Sequence, residues 1–472
     1  MITLYDDLVQ NVELEEPGQF TLYECTIRTK VGPVDVTKMV ESFNIYESIF
    51  KTFVTGDLTV LDVENFLNIA NITGTEPVKI KFSTKGSKHR IDVDLIVYKI
   101  KDEEKINENT NRYTLSLVSP EFLTDIRTKI SKSFDGKYSD MIKIIYSEYL
   151  SSGTPLWLES TDNRNRVIIP NKSPVDAINM ISQFSISETA DNSNFLFFQT
   201  TKSFHFRSIT EMIYLDLIKP EGLTFRIEKG EVSPLVSIAS KATRALEFEI
   251  KSDLDILRHT KLGTYGSTLI KHDIRGKIWR ESEWSYHDSY VIKNDGKNYV
   301  KIGAFPVSPD GPVTQDKENL SDFPKSNITM ISSAEEHSYQ TVQNIPEFEK
   351  LDYENTILTR KSEMNGMNFL RAKLKIAGMS GLQAGDVISI FIPTPYSSHS
   401  LKGGIRDEDE KLSGKWLVES VAHQVSEKYY SVLMLIRDSV PEKQTNYVAL
   451  NYKDSTPEII DASPSGSTNK KT

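Results

Sequence analysis

Strand-like alternation over residues 370–438 constrains the fold of this chain more than any other feature of its sequence. Apolar residues occupy every second position from 370 to 376, and charged residues lie between them, as in a strand with one buried face. Three more strand patterns follow, at residues 387–392, 416–425 and 429–436. Prolines and polar segments separate them. The stretch therefore predicts a four-stranded antiparallel meander that tends toward a small closed or half-closed barrel.

A similar pattern recurs near the N-terminus. Gly74 and Glu76 precede an alternating run, as Gly385 and Asp386 precede the run that begins at Val387. The strand patterns at residues 91–100 and 113–118 likewise resemble those at 416–425 and 430–436. Few identities are shared, so a duplicated module and two unrelated antiparallel barrels both remain open.

The length of 472 residues is too great for one hydrophobic core and predicts three or four domains. We predict a β-rich α+β multidomain protein, in which two similar antiparallel β-barrels of the tube type are each followed or interrupted by an insert domain. The predicted units are a first barrel at 1–120, an α+β insert at 121–240, a discontinuous second barrel at 241–260 and 353–440, a projecting insert at 261–352 and a flexible C-terminal tail at 441–472.

The helices of this prediction come from apolar residues at helical spacing. One helix is expected at residues 138–150, a second after the cap Ser173 and the helix-starting Pro174, and a third at 355–369. A hairpin at residues 194–208 supplies a sheet for the first two helices to cover. A short helical turn is predicted after the strand that begins at Asp57.

This order of elements resembles the central baseplate hub protein of contractile-tailed, T-even-type bacteriophages. The resemblance spans residues 22–438, and the segments that carry it are 194–198, 204–208, 246–250, 378–393 and 416–437. The long second insert and the acidic loop at 406–411 have no counterpart in that pattern.

The resemblance implies a structural, non-enzymatic virion protein of the tail baseplate, made in the host cytoplasm. As a symmetry adapter in tail assembly, it would form a homotrimer whose six barrels make a pseudo-hexameric ring. The implied partners are the hexameric tail tube protein above and the trimeric spike protein below, with baseplate wedge and tape-measure proteins also within reach. DNA would pass through the lumen without specific binding.

Charge and composition restrict the alternatives. The formal net charge of −10 is unlike that of ordinary nucleic-acid-binding proteins and would let a channel wall repel DNA. The single Cys25 excludes an internal disulfide framework and a cysteine-based metal cluster. We expect neither a secretory signal nor a membrane-spanning segment.

The sequence contains no phosphate-binding loop, metalloprotease motif or nucleophile elbow. We therefore predict no catalytic, cofactor-binding or metal-binding residues. His205 is expected to face outward from its hairpin, and the adjacent His272 and Asp273 should face opposite sides of a strand.

Two alternative functions stay open. A tail-associated cell-wall hydrolase would need a carboxylate pair, for which Glu13, Glu15 and Glu16 or the acids at 407–410 are candidates, although solvated loops are the expected state. A carbohydrate- or receptor-binding module would use Trp279, Trp284 and Tyr286 as a stacking platform, although ordinary strand packing is favoured.

Overall fold

A computed structural model gives the fold and describes residues 16–63, 72–107, 110–189, 192–217, 223–227, 241–251, 255–273, 277–286, 305–306, 320–332, 354–393, 409, 412–440 and 458–460. The chain begins with seven antiparallel strands, which we call the first strand set. They are β1 (Phe20–Thr29), β2 (Gly32–Asp35), β3 (Val40–Ser48), β4 (Thr55–Asp62), β5 (Pro77–Thr84), β6 (Arg90–Asn107) and β7 (Thr110–Val118).

Alternating residues of these strands build the first core. Phe43, Leu58, Ile80 and Leu115 are among its fully buried members, and Cys25 lies with them. The helical turn predicted after β4 lies outside the described residues.

An α+β insert follows. It contains α1 (Glu121–Arg127), β8 (Ile130–Lys137), α2 (Tyr138–Ile144) with a π-helical continuation (Ile145–Leu150), β9 (Leu156–Leu158), β10 (Arg164–Lys172), α3 (Pro174–Ser182), β11 (Phe195–Gln199), β12 (Phe204–Ser208) and α4 (Ile209–Leu217). The predicted start of α3 is confirmed, because the Ser173 hydroxyl accepts a hydrogen bond from the Asp176 N–H at 3.2 Å. The predicted hairpin is confirmed as the antiparallel pair β11–β12.

Two short strands and a second insert come next. The strands are β13 (Thr224–Arg226) and β14 (Ala245–Ile250), and the insert holds α5 (Ile256–Lys261), β15 (Gly266–Asp273), β16 (Ile278–Ser285), β17 (Phe305–Pro306) and β18 (Ile328–Ser332). Two 3₁₀ turns (Leu320–Asp322 and Pro324–Ser326) lie before β18. Strands β16, β15 and β18 form a sheet of their own in that order.

The chain returns through a π-helical turn (Glu354–Leu358) and α6 (Thr359–Gly366), where a helix was predicted. The remaining strands are β19 (Leu370–Ala377), β20 (Val387–Phe391), β21 (Gly414–Val425), β22 (Tyr429–Arg437), β23 (Ser439–Val440) and β24 (Glu458–Ile460). We call β13, β14 and β19 to β22 the second strand set. Its core includes Leu374, Ile390, Trp416 and Leu433.

The four predicted strands from 370 to 436 are present, but their pairing differs from the predicted meander. β20, β21 and β22 are consecutive neighbours, whereas β19 pairs with β22 and not with β20. The reason is that β13 occupies the outer edge of β20 and β14 occupies the outer edge of β19. Which strands pair is therefore set by tertiary neighbours and not by the order of the strands along the chain.

The two strand sets are joined in one sheet of 13 strands, because β3 of the first set pairs with β21 of the second. β13 belongs to this sheet, although it falls within the range predicted for the first insert. Within the predicted flexible tail, β24 pairs with β9, which differs from that prediction. The open edge of β9 offers backbone partners that a short β-branched segment can use.

Candidate functional site at the junction of the two strand sets

Apart from β2, which pairs with β1 and has no counterpart, the two strand sets have the same order of strands. Starting from β3, the first set runs β3-β4-β7-β6-β5-β1, and starting from β14 the second runs β14-β19-β22-β21-β20-β13. The neighbours correspond pair by pair and are antiparallel, with one exception. β13 runs parallel to β20, whereas β1 runs antiparallel to β5.

Irregularities of register also fall at corresponding places in the two sets. They lie between Val97 and Lys99 on β6 and between Val418 and Ser420 on β21, and again between Val40 and Ser42 on β3 and between Ala245 and Glu247 on β14. A β-bulge inserts one residue and bends its strand, so its position is a specific feature of a fold. Two coincident bulges therefore favour a duplicated module over two unrelated sheets.

The acid noted in the sequence takes the same role before β5 and before β20. The Glu76 carboxylate accepts a hydrogen bond from the Thr73 N–H at 2.8 Å, and the Asp386 carboxylate accepts one from the Gln383 N–H at 2.9 Å, in each case three residues earlier. The glycines do not coincide, because Thr75, with a φ of 74°, takes the place of Gly385, with a φ of 90°. The two turns thus share the carboxylate contact and a left-handed residue before the acid.

The junction between the two sets is an antiparallel pairing of β3 with β21. Six residue pairs run from Phe43 opposite Val425 to Ser48 opposite Ser420. The Ile49 N–H extends the ladder by donating to the Glu419 carbonyl at 2.9 Å. The interface is therefore built mainly of backbone hydrogen bonds, and its register is defined.

A buried polar cluster lies at this junction and contacts the first insert. His423 Nδ1 lies 2.7 Å from the Tyr429 hydroxyl, and His423 Nε2 lies 3.5 Å from Glu47 Oε1. The second Glu47 oxygen accepts a hydrogen bond from the Thr201 N–H at 2.9 Å. Burial raises the pKa of Tyr429 well above its ordinary value, so this hydroxyl stays protonated. The cluster joins three parts of the chain, and its burial suits a structural role.

Several strand edges of the sheet have no strand partner among the described residues, and two of them resemble the paired edges of the junction. One is the edge of β6 beyond Tyr98, on the side where β5 has ended, and the other is the outer edge of β14. The residues along both edges are mostly exposed and charged, including Asp102, Glu104, Glu247 and Glu249. Exposed charges on an edge strand oppose unspecific edge-to-edge pairing.

The predicted outward orientation of His205 is wrong. Its side chain is 7% exposed, and its ring stacks on those of Phe198 and Trp157 at centroid distances of 5.0 and 6.2 Å. Strand β11 explains this burial, because Phe195 faces the core of the insert and Phe198 faces the core beneath β20. The hairpin is therefore buried on both faces, and burial lowers the pKa of His205 well below its ordinary value.

The aromatic residues of the second insert do not form one platform. The ladder between β15 and β16 is regular, so Trp279 and Trp284 point to opposite faces. Trp279 is exposed, whereas Tyr286 is buried and packs edge-on against Tyr265 and Phe369. The described side chains thus offer a single exposed tryptophan in place of a stacking surface.

The candidate carboxylates are dispersed. Glu16 forms an ion pair with Lys428 at 3.3 Å, and the Asp409 carboxylate accepts a hydrogen bond from the Leu412 N–H at 2.9 Å. The other members of the two acidic groups lie outside the described residues. The described part of the chain holds no cluster of three or more His, Cys, Asp or Glu residues able to bind a metal ion.

One buried carboxylate has a strongly shifted pKa. Burial, with a contribution from Glu211, raises the pKa of Glu159 well above its ordinary value. Its oxygens accept hydrogen bonds from the Ser187 hydroxyl at 2.6 Å and the Ser208 N–H at 2.6 Å. Glu211 in turn pairs with Arg207 at 2.7 Å. These contacts connect β9, β12 and α4 inside the insert, which is a structural use of the carboxylate.

Sequence reasoning missed the junction residues Glu47 and His423. A signal was present, since Glu47 continues the inward-facing positions Phe43 and Ile45 of β3, and His423 is flanked by valines two positions away on β21. Polar residues in the inward register of a strand indicate a buried polar contact.

No protein-family model matches the chain, and no curated protein matches its sequence. Solved structures similar to it include a tail protein from Neisseria meningitidis, at 8% identity and a TM-score of 0.48, with 89% of this chain and 97% of that chain covered. A 43 kDa tail protein of prophage MuSo2 from Shewanella oneidensis has 8% identity and a TM-score of 0.49, with 89% and 100% covered. A component of the Escherichia coli type VI secretion system has 9% identity and a TM-score of 0.40, with 89% and 76% covered.

Two of these structures are named as tail proteins, and the third as a component of a secretion system. Their TM-scores lie below 0.5, so these likenesses carry no conclusion about the function of this chain. None of the helices in the described ranges has the length and apolarity that crossing a bilayer requires.

Proposed function

We propose that this chain is a structural protein of a phage tail baseplate, a hub that forms a homotrimer. Each chain contributes both strand sets, so that three chains present six similar modules in a pseudo-hexameric ring. Such a ring matches a hexameric tail tube on one side and a trimeric spike on the other. The modules act as tube-type barrels, and the lumen of the ring passes DNA.

The repeated module is the observation that carries this proposal. Apart from β2, the two sets share strand order, two bulge positions and the carboxylate contact in the turn before β5 and β20. A chain with two equivalent modules converts threefold symmetry into approximate sixfold symmetry without any further device. The pairing of β3 with β21 supports it, because it is a module-to-module contact of the kind that a ring requires.

The charge of the chain supports passage of DNA without binding. Its formal net charge of −10 opposes the electrostatic attraction by which proteins neutralise phosphates. The inserts would lie on the outside of the ring, where wedge and spike proteins can reach them.

Electron microscopy of the purified protein, viewed down its symmetry axis, tests this function. We expect a ring of six similar lobes around an open centre, with the inserts repeating three times at the periphery. Compact particles with neither a ring nor threefold repetition would contradict the proposal.

A further inference from the structure

The pairing inside the chain predicts how neighbouring chains contact each other. The outer edge of β3 pairs with residues 420–425 of β21, which follow the bulge. The strand that corresponds to β3 in the second set is β14, and the strand that corresponds to β21 in the first set is β6. Two of the edges that lack a strand partner among the described residues, those of β14 and β6, are thus the counterparts of the two edges already paired within the chain.

The coincident bulges show which residues of the two strand sets correspond. Counting from the bulge on β14, Glu247 corresponds to Ser42, and Glu249 to Asn44. Counting from the bulge on β6, Lys99 corresponds to Ser420.

β6 contains a second irregularity that β21 lacks, and it changes the residue count between the two strands. Asp102 has a φ of 55°, and the register of β6 against β7 shifts between Lys101 and Glu104. β6 therefore carries one additional residue there, so that Glu104 corresponds to Gln424 and Lys105 to Val425.

We infer that β14 of one chain pairs antiparallel with residues 102–105 of β6 in a second copy, with Glu249 opposite Glu104 and Phe248 opposite Lys105. This contact rests on the trimer proposed above and specifies its interface. Within the chain, the equivalent pairs are Asn44 with Gln424 and Phe43 with Val425. Because every chain offers one edge of each kind, the contact is head-to-tail and can close into a ring.

The chemistry of the two edges suits a contact made after folding. Phe248 lies between the exposed Glu247 and Glu249, and Ile250 lies between Glu249 and Lys251, so charged side chains keep this edge soluble in a free chain. The two carboxylates that would meet each have a cation nearby. Arg112 lies 3.7 Å from Glu104, and the hydrogen bond from Lys251 lowers the pKa of Glu249.

A disulfide introduced at Glu104→Cys and Glu249→Cys tests the register. The Ile49 contact with Glu419 places the hydrogen-bonded positions of β3 at odd residue numbers, so Asn44 and Gln424 form a non-hydrogen-bonded pair. The Cα atoms of such pairs lie about 4.5 Å apart, within the range that a disulfide spans. The native Cys25 will not interfere, because burial and the carboxylates of Asp35 and Glu24 raise its pKa to about 12.

We expect mild oxidation of this double variant to convert most chains to covalent dimers and trimers on a non-reducing gel. A mixture of the two single variants should yield covalent dimers only, because each chain then has one reactive edge. Asn44→Cys with Gln424→Cys is the matched control, and it should form a disulfide within one chain and leave the mass unchanged.

Sedimentation of the wild-type chain separates the two possible failures. A trimer whose double variant stays uncrosslinked, or crosslinks as well at Glu104→Cys with Glu247→Cys, would overturn the inferred interface and leave the proposed function intact. A chain that stays monomeric would contradict the proposed function itself.

Discussion

Gly378 and Tyr429 approach so closely that no side chain fits between them. A Cβ at Gly378 would lie 2.1 Å from the Tyr429 ring, which is fully buried and contacts His423. Since neither the strand nor the ring can move aside, we expect Gly378→Ala to lower the free energy of unfolding by about 3 kcal/mol. Denaturant unfolding measures this change.

Gly153→Ala is the control for that substitution. No atom lies within 4 Å of a Cβ at Gly153, and the residue has no left-handed φ. Its free energy of unfolding should stay within about 0.5 kcal/mol of wild type. Equal effects at the two glycines would show that the packing at Tyr429 is looser than described.

The carboxyl of Glu159 supplies a pH-dependent prediction. Because its pKa is raised in the folded protein, it stabilises the fold fully below the pKa of an unfolded glutamate and loses that contribution as pH rises. Glu159→Gln should therefore be as stable as wild type or more stable at pH 8, and wild type should gain on it as pH falls to 5. Denaturant unfolding at both values measures the difference.

Glu159→Ala is the companion variant. It removes the acceptor of the buried Ser208 N–H, and we expect it to cost about 1–3 kcal/mol at either pH. A Gln variant as unstable as the Ala variant would show that the carboxyl is ionised in the fold.

The sequence predicts where strands occur better than it predicts which strands pair. Alternation predicts β19, β21 and β22 because each buries one face, and Ser173 predicts the start of α3 through its cap. The pairing of β19 with β22 could not be predicted, because it depends on where β13 and β14 lie. His205 was misplaced for the same reason, since the second face of its hairpin is buried by distant strands.

The candidate site was predictable only in part. The glycine–acid pattern at Gly74 and Gly385 pointed to the repeated module from sequence alone, although only its acids coincide in the structure. The bulges and the open edges of β6 and β14 could not be predicted, because an extra residue in a strand leaves no mark on composition or alternation.

Proline substitutions on β14 test the role of its outer edge. The Lys251 N–H donates to the Arg371 carbonyl at 2.7 Å, so by alternation the Glu249 N–H faces β19 and the Ile250 N–H faces away. Proline removes the donor. Ile250→Pro should therefore weaken assembly and leave the unfolding midpoint of the separate chain unchanged, as measured by sedimentation and denaturant unfolding.

Glu249→Pro is the matched variant, and it should lower the unfolding midpoint because it breaks the ladder with β19. If Ile250→Pro assembled as tightly as wild type, the outer edge of β14 would not be part of an interface.

The proposed ring would contain two kinds of junction with different tasks. The junction within the chain is permanent, and it buries Glu47, His423 and Tyr429 among three parts of the fold. The proposed junction between chains would form from separate soluble chains, and the edges assigned to it are charged and exposed. One module design would thus serve both contacts, with side chains suited to each.

The number of chains in the native particle tests the central claim, that one chain carries two equivalent modules and that three chains make a ring of six. Native mass spectrometry of the full-length protein, supported by sedimentation over a range of concentrations, measures that number. We predict a dominant species of three times the 53.6 kDa of one chain. A particle that remains a monomer at every concentration, or a stable assembly of six chains, would contradict it.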